Sequence, residues 1–123
     1  MTDARITADC VFCRIVRGEI PSKKIYDDAE VMAFHDIRPQ APVHMLVIPK
    51  AHVATLYDAQ PADQSALGKM LLVAGRLARE AGAADGFRTI INTGRIGHQE
   101  VYHVHMHVLG GPEPLGPMLS RRK

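Results

Sequence analysis

The stretch VYHVHMHVLGG, residues 101–111, alternates histidine with apolar residues. Successive side chains of a β-strand point to opposite faces, so this pattern fits a strand with two unlike surfaces. Val104, Met106 and Val108 take the core face. His103, His105 and His107 share the other face, roughly 6.6 Å apart at ~3.3 Å of rise per residue. Gly110, Gly111 and Pro112 end the strand. Three imidazoles on one face can ligate a metal, since imidazole suits zinc, copper or iron. Alternatively, the middle one is a nucleophile or base positioned by its neighbours. A histidine stripe facing solvent is the plain third reading.

The rest of the chain decides the fold class. CVFCRIVRGEI has apolar residues at Val11, Phe12, Ile15 and Val16, a short helix that Gly18 ends. KIYDDAEVMAFHDI reads as a hairpin, with Ile25 and Tyr26 in one strand, an acidic turn at Asp27 and Asp28, and Val31 to Phe34 in the next. RPQAP is a loop, because each proline pushes its predecessor out of helical geometry. VHMLVIP is a buried strand closed by Pro49. From about Ala62 to Ala81, the residues Leu67, Met70, Leu71, Ala74, Leu77, Ala78 and Ala81 recur at threes and fours, which predicts one long helix with one apolar face. Pro61 suits its first turn and Gly82 its end. FRTIIN reads as a strand and TGRIGHQE as a glycine-bearing loop. Five strands, one long helix and one short helix make an α+β domain. The short connections favour a mainly antiparallel five-stranded sheet with the helices on one face. The 123 residues fit a single domain, 1–123, with a core of about 10–111 and a tail, 112–123, of no usable period.

Composition narrows the class. Apolar residues make up 46% and charged ones 23%, ordinary for a globular chain, and the net charge is +2. That charge is too mild to argue for nucleic acid, yet it does not repel a small anionic ligand. The opening MTDARITADC lacks a signal-peptide layout, and no apolar stretch approaches the ~20 residues of a membrane span. A cytoplasmic protein with no membrane or nucleic-acid partner is expected. The two cysteines, Cys10 and Cys13, stand as C-x-x-C, where a short disulfide-stapled protein would carry more. They read as half a metal site or a redox pair. A thioredoxin-type role needs a preceding strand, and none precedes Cys10.

HVHMHVL resembles the signature of the histidine triad (HIT) superfamily, His-φ-His-φ-His-φ-φ with φ apolar. FCRIVRGEIP, EIPSKKIYDD, AFHDIRPQAPVHMLVIPKAHV and INTGRIGHQEVYHVHMHVLGG resemble, in order and spacing, the Hint-like branch of nucleotide-binding hydrolases. Together they cover nearly all of the chain to Gly111. The resemblance implies a HIT-like fold and a homodimer with a ten-stranded sheet across its interface, the PLGPM tail lying near the partner's site. It implies a hydrolase acting on a purine nucleoside phosphoramidate or related nucleotide conjugate, with a partner such as AMP or an adenosine phosphoramidate. His105 would attack the α-phosphorus, the amine would leave, and water would hydrolyse a covalent nucleotidyl-histidine. An uncharged imidazole suits this step because one ring nitrogen offers a lone pair at neutral pH, aimed by fixing the other N–H, in the family on a backbone carbonyl.

The same resemblance assigns the remaining positions. His107 faces phosphate oxygen and His44 is the supporting histidine. Glu100 stands where eukaryotic members carry a serine that helps protonate the leaving group, a role glutamate fills only with a raised pKa. Asn92 and the loop from Gly94 to Gln99 offer N–H groups to phosphate, with His98 where a glycine is common. Phe12, Ile15 and Phe34 match the base pocket, and His35, Asp36 and Ile37 the ribose contact. Asp36 can accept two hydroxyl hydrogen bonds. Cys10, Cys13, His52 and His103 match the zinc ligands of bacterial-type members and of the galactose-1-phosphate uridylyltransferases. A closed structural zinc would pin the N-terminal helix to the sheet and commit the lone pair of His103. No magnesium is expected, since neither an aspartate cluster nor a P-loop is present. The rival readings are a zinc hydrolase with the triad as three ligands, a nucleotide-binding regulator with incidental turnover, and a redox-thiol protein.

Overall fold

The computed structural model of the protein describes residues 9–118. Most of the MTDARITADC opening and residues 119–123 of the tail lie outside this range. The elements run α1 (Val11–Val16), β1 (Lys24–Asp27), β2 (Val31–His35), β3 (Val43–Pro49), α2 (Gln64–Glu80), β4 (Phe87–Ile90) and β5 (Met106–Gly110). The strands form one sheet in the order β1-β2-β3-β5-β4, and every pairing is antiparallel. The expected α+β architecture is present.

The central strands are apolar on both faces, and that dictates where the helices go. Val31, Ala33, Met45, Val47, Met106 and Val108 point to one face and pack under Met70, Val73, Ala74, Leu77 and Ala78 of α2. Met32, Phe34, Leu46 and Ile48 point to the other and pack with Phe12 of α1. The helices therefore cover opposite faces rather than one. Left bare, the second face would expose four large apolar side chains to water, and α1 with its Phe12 removes that cost.

Helix α2 buries a stripe at 70, 73, 74, 77 and 78. Leu71 and Ala81, expected on that stripe, face outward, and Leu71 is 59% exposed. One step along a helix turns the side chain by about 100°, so Leu71 sits beside the stripe and not on it. A 3-10 turn, Pro61–Asp63, leads directly into the helix, and the Asp63 carboxylate accepts the Gln60 N–H at 2.8 Å. At the far end Gly82 has φ +101, a left-handed conformation that suits glycine after a helix.

The last strand is shorter than its sequence pattern suggests. Regular pairing begins at Met106, and His103 and His105 lie in irregular chain just ahead of it. Its neighbour β3 ends in Pro49, which has no N–H for the ladder. The Pro49 carbonyl instead accepts the His103 ring Nε2–H at 2.7 Å, and the Val104 N–H goes to the Val53 carbonyl, also at 2.7 Å. Val104, Met106 and Val108 still share the core, so the alternation survives although the regular strand does not reach His105.

Candidate active site and metal centre

Strands β3 and β5 pair with Leu46 opposite His107 and His44 opposite Leu109. This register sets His44 and His107 on the α1 side of the sheet, one diagonal step apart. His44 Nε2 lies 2.9 Å from His107 Nδ1, and the Gln40 backbone N–H donates to His44 Nδ1 at 2.9 Å. These two contacts fix the protons. With Nδ1 accepting, His44 carries its hydrogen on Nε2 and donates it to His107 Nδ1; His107 then carries its own on Nε2. The Pro-bracketed loop 38–42 thus has a task, since it presents the Gln40 N–H. Asp36 steadies the loop entry, its Oδ1 accepting the Arg38 N–H at 2.7 Å, and its Oδ2 lies 3.5 Å from His44 Nε2.

Burial, with the His105 and His44 rings adding to it, pushes the His107 pKa down to about 4 against the pull of Asp36 and Glu100. Burial lowers His44 as well, partly opposed by Asp36. The pair is uncharged at neutral pH, and a neutral His107 can offer its Nε2–H to a negative oxygen.

His105 is held from two sides. Its Nδ1 lies 2.8 Å from the His103 main-chain carbonyl, so Nδ1 carries hydrogen and Nε2 holds the lone pair of the uncharged ring. The edge of Phe12 packs against it, with centroids 5.1 Å apart and planes at 77°. Phe12 and Phe34 are buried in the smaller core, with Ile15 packed against it. His35 is exposed, Asp36 half-buried and Ile37 87% exposed, so these three mark the rim.

The loop after β4 carries Asn92, Gln99 and Glu100. Gly97 is there by necessity, because a Cβ would sit 2.5 Å from the Thr93 carbonyl oxygen. His98 has φ +63, the one non-glycine residue in that region among those described. The Gln99 side chain is fully engaged with backbone. Its Oε1 accepts the Gly94 N–H at 2.9 Å, and its Nε2 donates to the carbonyls of Ala54 at 2.7 Å and Val101 at 2.9 Å. Glu100 is exposed.

On the far side of His103 stands a second group. Cys10 Sγ lies 3.3 Å from His103 Nδ1, Cys13 Sγ 3.3 Å from His52 Nδ1 and 3.5 Å from His103 Nδ1. All four donor atoms fall within 4.8 Å of one another. Tetrahedral zinc, at ~2.3 Å from sulfur and ~2.0 Å from nitrogen, would set S and N roughly 3.6 Å apart, close to what is seen. Because the Nε2–H of His103 donates to Pro49, its Nδ1 lone pair faces the sulfurs, the arrangement a metal ligand needs. The donor set fits a closed metal site. Asp36, His44 and His107 also gather within 4.8 Å. There the Gln40 N–H keeps a proton on His44 Nε2, the atom a metal would use. The three triad rings face three different partners and do not converge as one ligand set.

The family model described as HIT domain matches residues 17–113. The chain belongs to the HIT family. It is 50% identical over 115 residues to the purine nucleoside phosphoramidase of Escherichia coli (strain K12), covering 93% of this chain and 96% of that one. It is 48% identical over 104 residues to Protein HitA of Neisseria gonorrhoeae, covering 85% and 97%. Among solved structures, a HIT family hydrolase from Legionella pneumophila superposes with a TM-score of 0.83 at 44% identity, covering 89% of this chain and 98% of that one. A histidine triad protein from Clostridium difficile gives 0.84 at 42%, covering 90% and 97%.

Sequence reasoning passed over Gln40 and Pro49. Both act through main-chain atoms, which side-chain identity does not encode; the prolines around Gln40 were the one available hint.

Proposed function

We propose that this HIT protein hydrolyses purine nucleoside phosphoramidates through a nucleotidyl intermediate on His105. The carrying observation is the 2.8 Å contact between His105 Nδ1 and the His103 carbonyl, which leaves Nε2 as the attacking lone pair. In the first step Nε2 bonds to the α-phosphorus, the P–N bond of the substrate breaks, and the departing amine takes a proton from solvent on the Glu100 side. In the second, water attacks the phosphorus and gives a proton back to solvent, the bond to His105 breaks, and the nucleoside monophosphate leaves. His107 Nε2–H, Asn92 and, within loop 94–99, the backbone of residues 95–97 meet the charge on the phosphoryl oxygens, a large term in such reactions. Glu100 acts on the leaving-group side. Asp36 takes the ribose hydroxyls beside His35 and Ile37, and the purine lies against Ile15, Phe34 and Phe12. The E. coli relative's printed name and the match in fold support this reading.

Zinc is the metal proposed for Cys10, Cys13, His52 and His103, where it would supply a four-ligand cross-link between α1 and the chain ahead of β5. A homodimer across the free edge of the sheet is proposed as well. β4 is bonded on one side only, and Leu71, Leu72 (79% exposed) and Phe87 lie exposed on α2 and β4. A second copy across β4 would cover them, make a ten-stranded sheet and bring the tail near the partner's site. No described helix is long and apolar enough to cross a membrane, and a cytoplasmic location is proposed.

Quenched mass spectrometry after mixing with an adenosine phosphoramidate tests the reaction. A nucleotidyl adduct is expected on the VYHVHMH peptide, absent in His105→Ala. Turnover with no adduct, or an adduct elsewhere, defeats the mechanism.

A further inference from the structure

The Cys/His centre and the nucleophile are joined through shared residues. His103 turns its ring Nδ1 to the sulfurs of Cys10 and Cys13, while its own main-chain carbonyl holds the Nδ1–H of His105. Phe12 stands between the two cysteines in sequence. Its ring meets His105 edge-on at 5.1 Å and His103 at 5.8 Å. Two separate paths thus lead from the ligand set to the same imidazole. His107 touches neither cysteine; it meets the His105 ring at 5.2 Å and is held by His44, which the Gln40 N–H fixes in turn.

We propose that metal bound by Cys10, Cys13, His52 and His103 positions His105, so that metal and nucleotide bind cooperatively. This rests on reading His105 as the nucleophile. Helix α1 has six residues, too few to be stable by itself, so its place depends on the burial of Phe12 and on the cysteines it carries. His103 lies in irregular chain, outside the β5 ladder. A tetrahedral metal locks both. Without it, the S···N contacts of 3.3–3.5 Å, the His103 bond to the Pro49 carbonyl and the burial of Phe12 are left to hold them, and the carbonyl and ring that orient His105 gain freedom. Nucleotide must then order them itself, which weakens its binding. Linkage is reciprocal, so nucleotide tightens metal by the same factor that metal tightens nucleotide.

The test uses the full-length chain in zinc-loaded and metal-depleted forms. Calorimetric titration with AMP is expected to show about fivefold tighter binding to the loaded form, near the low end of usual coupling. Competition with a chromogenic chelator is expected to show zinc held tighter by the same factor when AMP is saturating. Phe12→Leu keeps all four ligands and severs one path. It is expected to keep one zinc per chain, to shrink the coupling, and to slow adduct formation on His105 more than it weakens AMP. Ribose 5-phosphate, which has no base to touch Phe12, serves as a second probe and should show the same loss of coupling.

Equal affinity for AMP with and without zinc, in protein shown folded by circular dichroism, overturns the proposal. Should the depleted form unfold, the loaded Phe12→Leu protein decides: unchanged affinity for ribose 5-phosphate and an unchanged rate of adduct formation overturn it. An adduct on His105 that forms equally fast in both metal states removes the coupling and leaves the hydrolase intact. No His105 adduct in either state removes the hydrolase reading, and the coupling with it.

Discussion

Replacing Gln99 by glutamate changes one group and almost no volume, so its effect can be worked from contacts. The Gln99 Nε2 donates to the carbonyls of Ala54 and Val101 at 2.7 and 2.9 Å, while Oε1 accepts from Gly94. In Gln99→Glu the donor becomes an oxygen facing two carbonyl oxygens at those distances. Leaving a part-buried acceptor unsatisfied costs about 1–3 kcal/mol, so two cost about 4 kcal/mol with the ionised side chain. The protonated acid restores one donor and costs about 2 kcal/mol. That difference raises the folded pKa by about 1.5 units above the unfolded ~4.3. A group raised in the folded state favours folding below its unfolded pKa and loses that contribution as pH climbs through the folded value. Urea unfolding of Gln99→Glu should therefore show a loss of about 4 kcal/mol near pH 7.5, shrinking to about 3 kcal/mol near pH 5 and toward about 2 kcal/mol below pH ~4. Activity should fall mainly in kcat, because the loop proposed to meet the phosphate has lost its clamp. An unchanged urea midpoint with a raised KM would refute this reasoning and show that Gln99 touches nucleotide directly.

Three further outcomes follow from the packing and the proton positions. Leu77 is buried where α2 meets the sheet, so Leu77→Ala should lower stability by about 2–5 kcal/mol in urea unfolding, with the adduct on His105 still forming. His44→Leu removes both the donor to His107 and the acceptor for the Gln40 N–H; kcat should fall roughly 10–100-fold with a smaller change in KM, as expected for a lost proton-positioning contact. The His107 pKa is depressed to about 4, below the unfolded ~6.5, so the unfolded chain binds the proton first. Its contribution is fully present above pH ~6.5 and drains away as pH falls toward 4, by at most about 3 kcal/mol. Urea midpoints compared between about pH 7 and pH 4.5 should show a steeper acid loss in the wild type than in His107→Asn.

What the sequence made legible, and what it hid, divides along one physical line. Side-chain pattern carries burial, and burial set the sheet: VMAF and MLVI are apolar at every position, so both faces of β2 and β3 had to be covered. That requirement was readable, yet the helix that meets it was not, since α1 is only six residues long and covers the face with Phe12, Ile15 and Val16. The four metal-site residues and His44, His105 and His107 came together because each contributes a side-chain donor whose type and spacing the sequence states directly. The restraints that give those rings their direction come from main-chain atoms: Gln40 N–H, Pro49 C=O and His103 C=O. A backbone amide has no letter of its own. The strand pattern also pointed to a regular β5 through His103, whereas Pro49 cannot continue the ladder and gives its carbonyl to that very histidine. The break in the strand is thus what lets neighbouring histidines of one signature face different partners, His103 the thiols and His105 the His103 carbonyl and the edge of Phe12. A perfectly regular strand would have aimed all three rings alike, and such a stripe could neither hold a metal at one end nor present a single free lone pair in the middle.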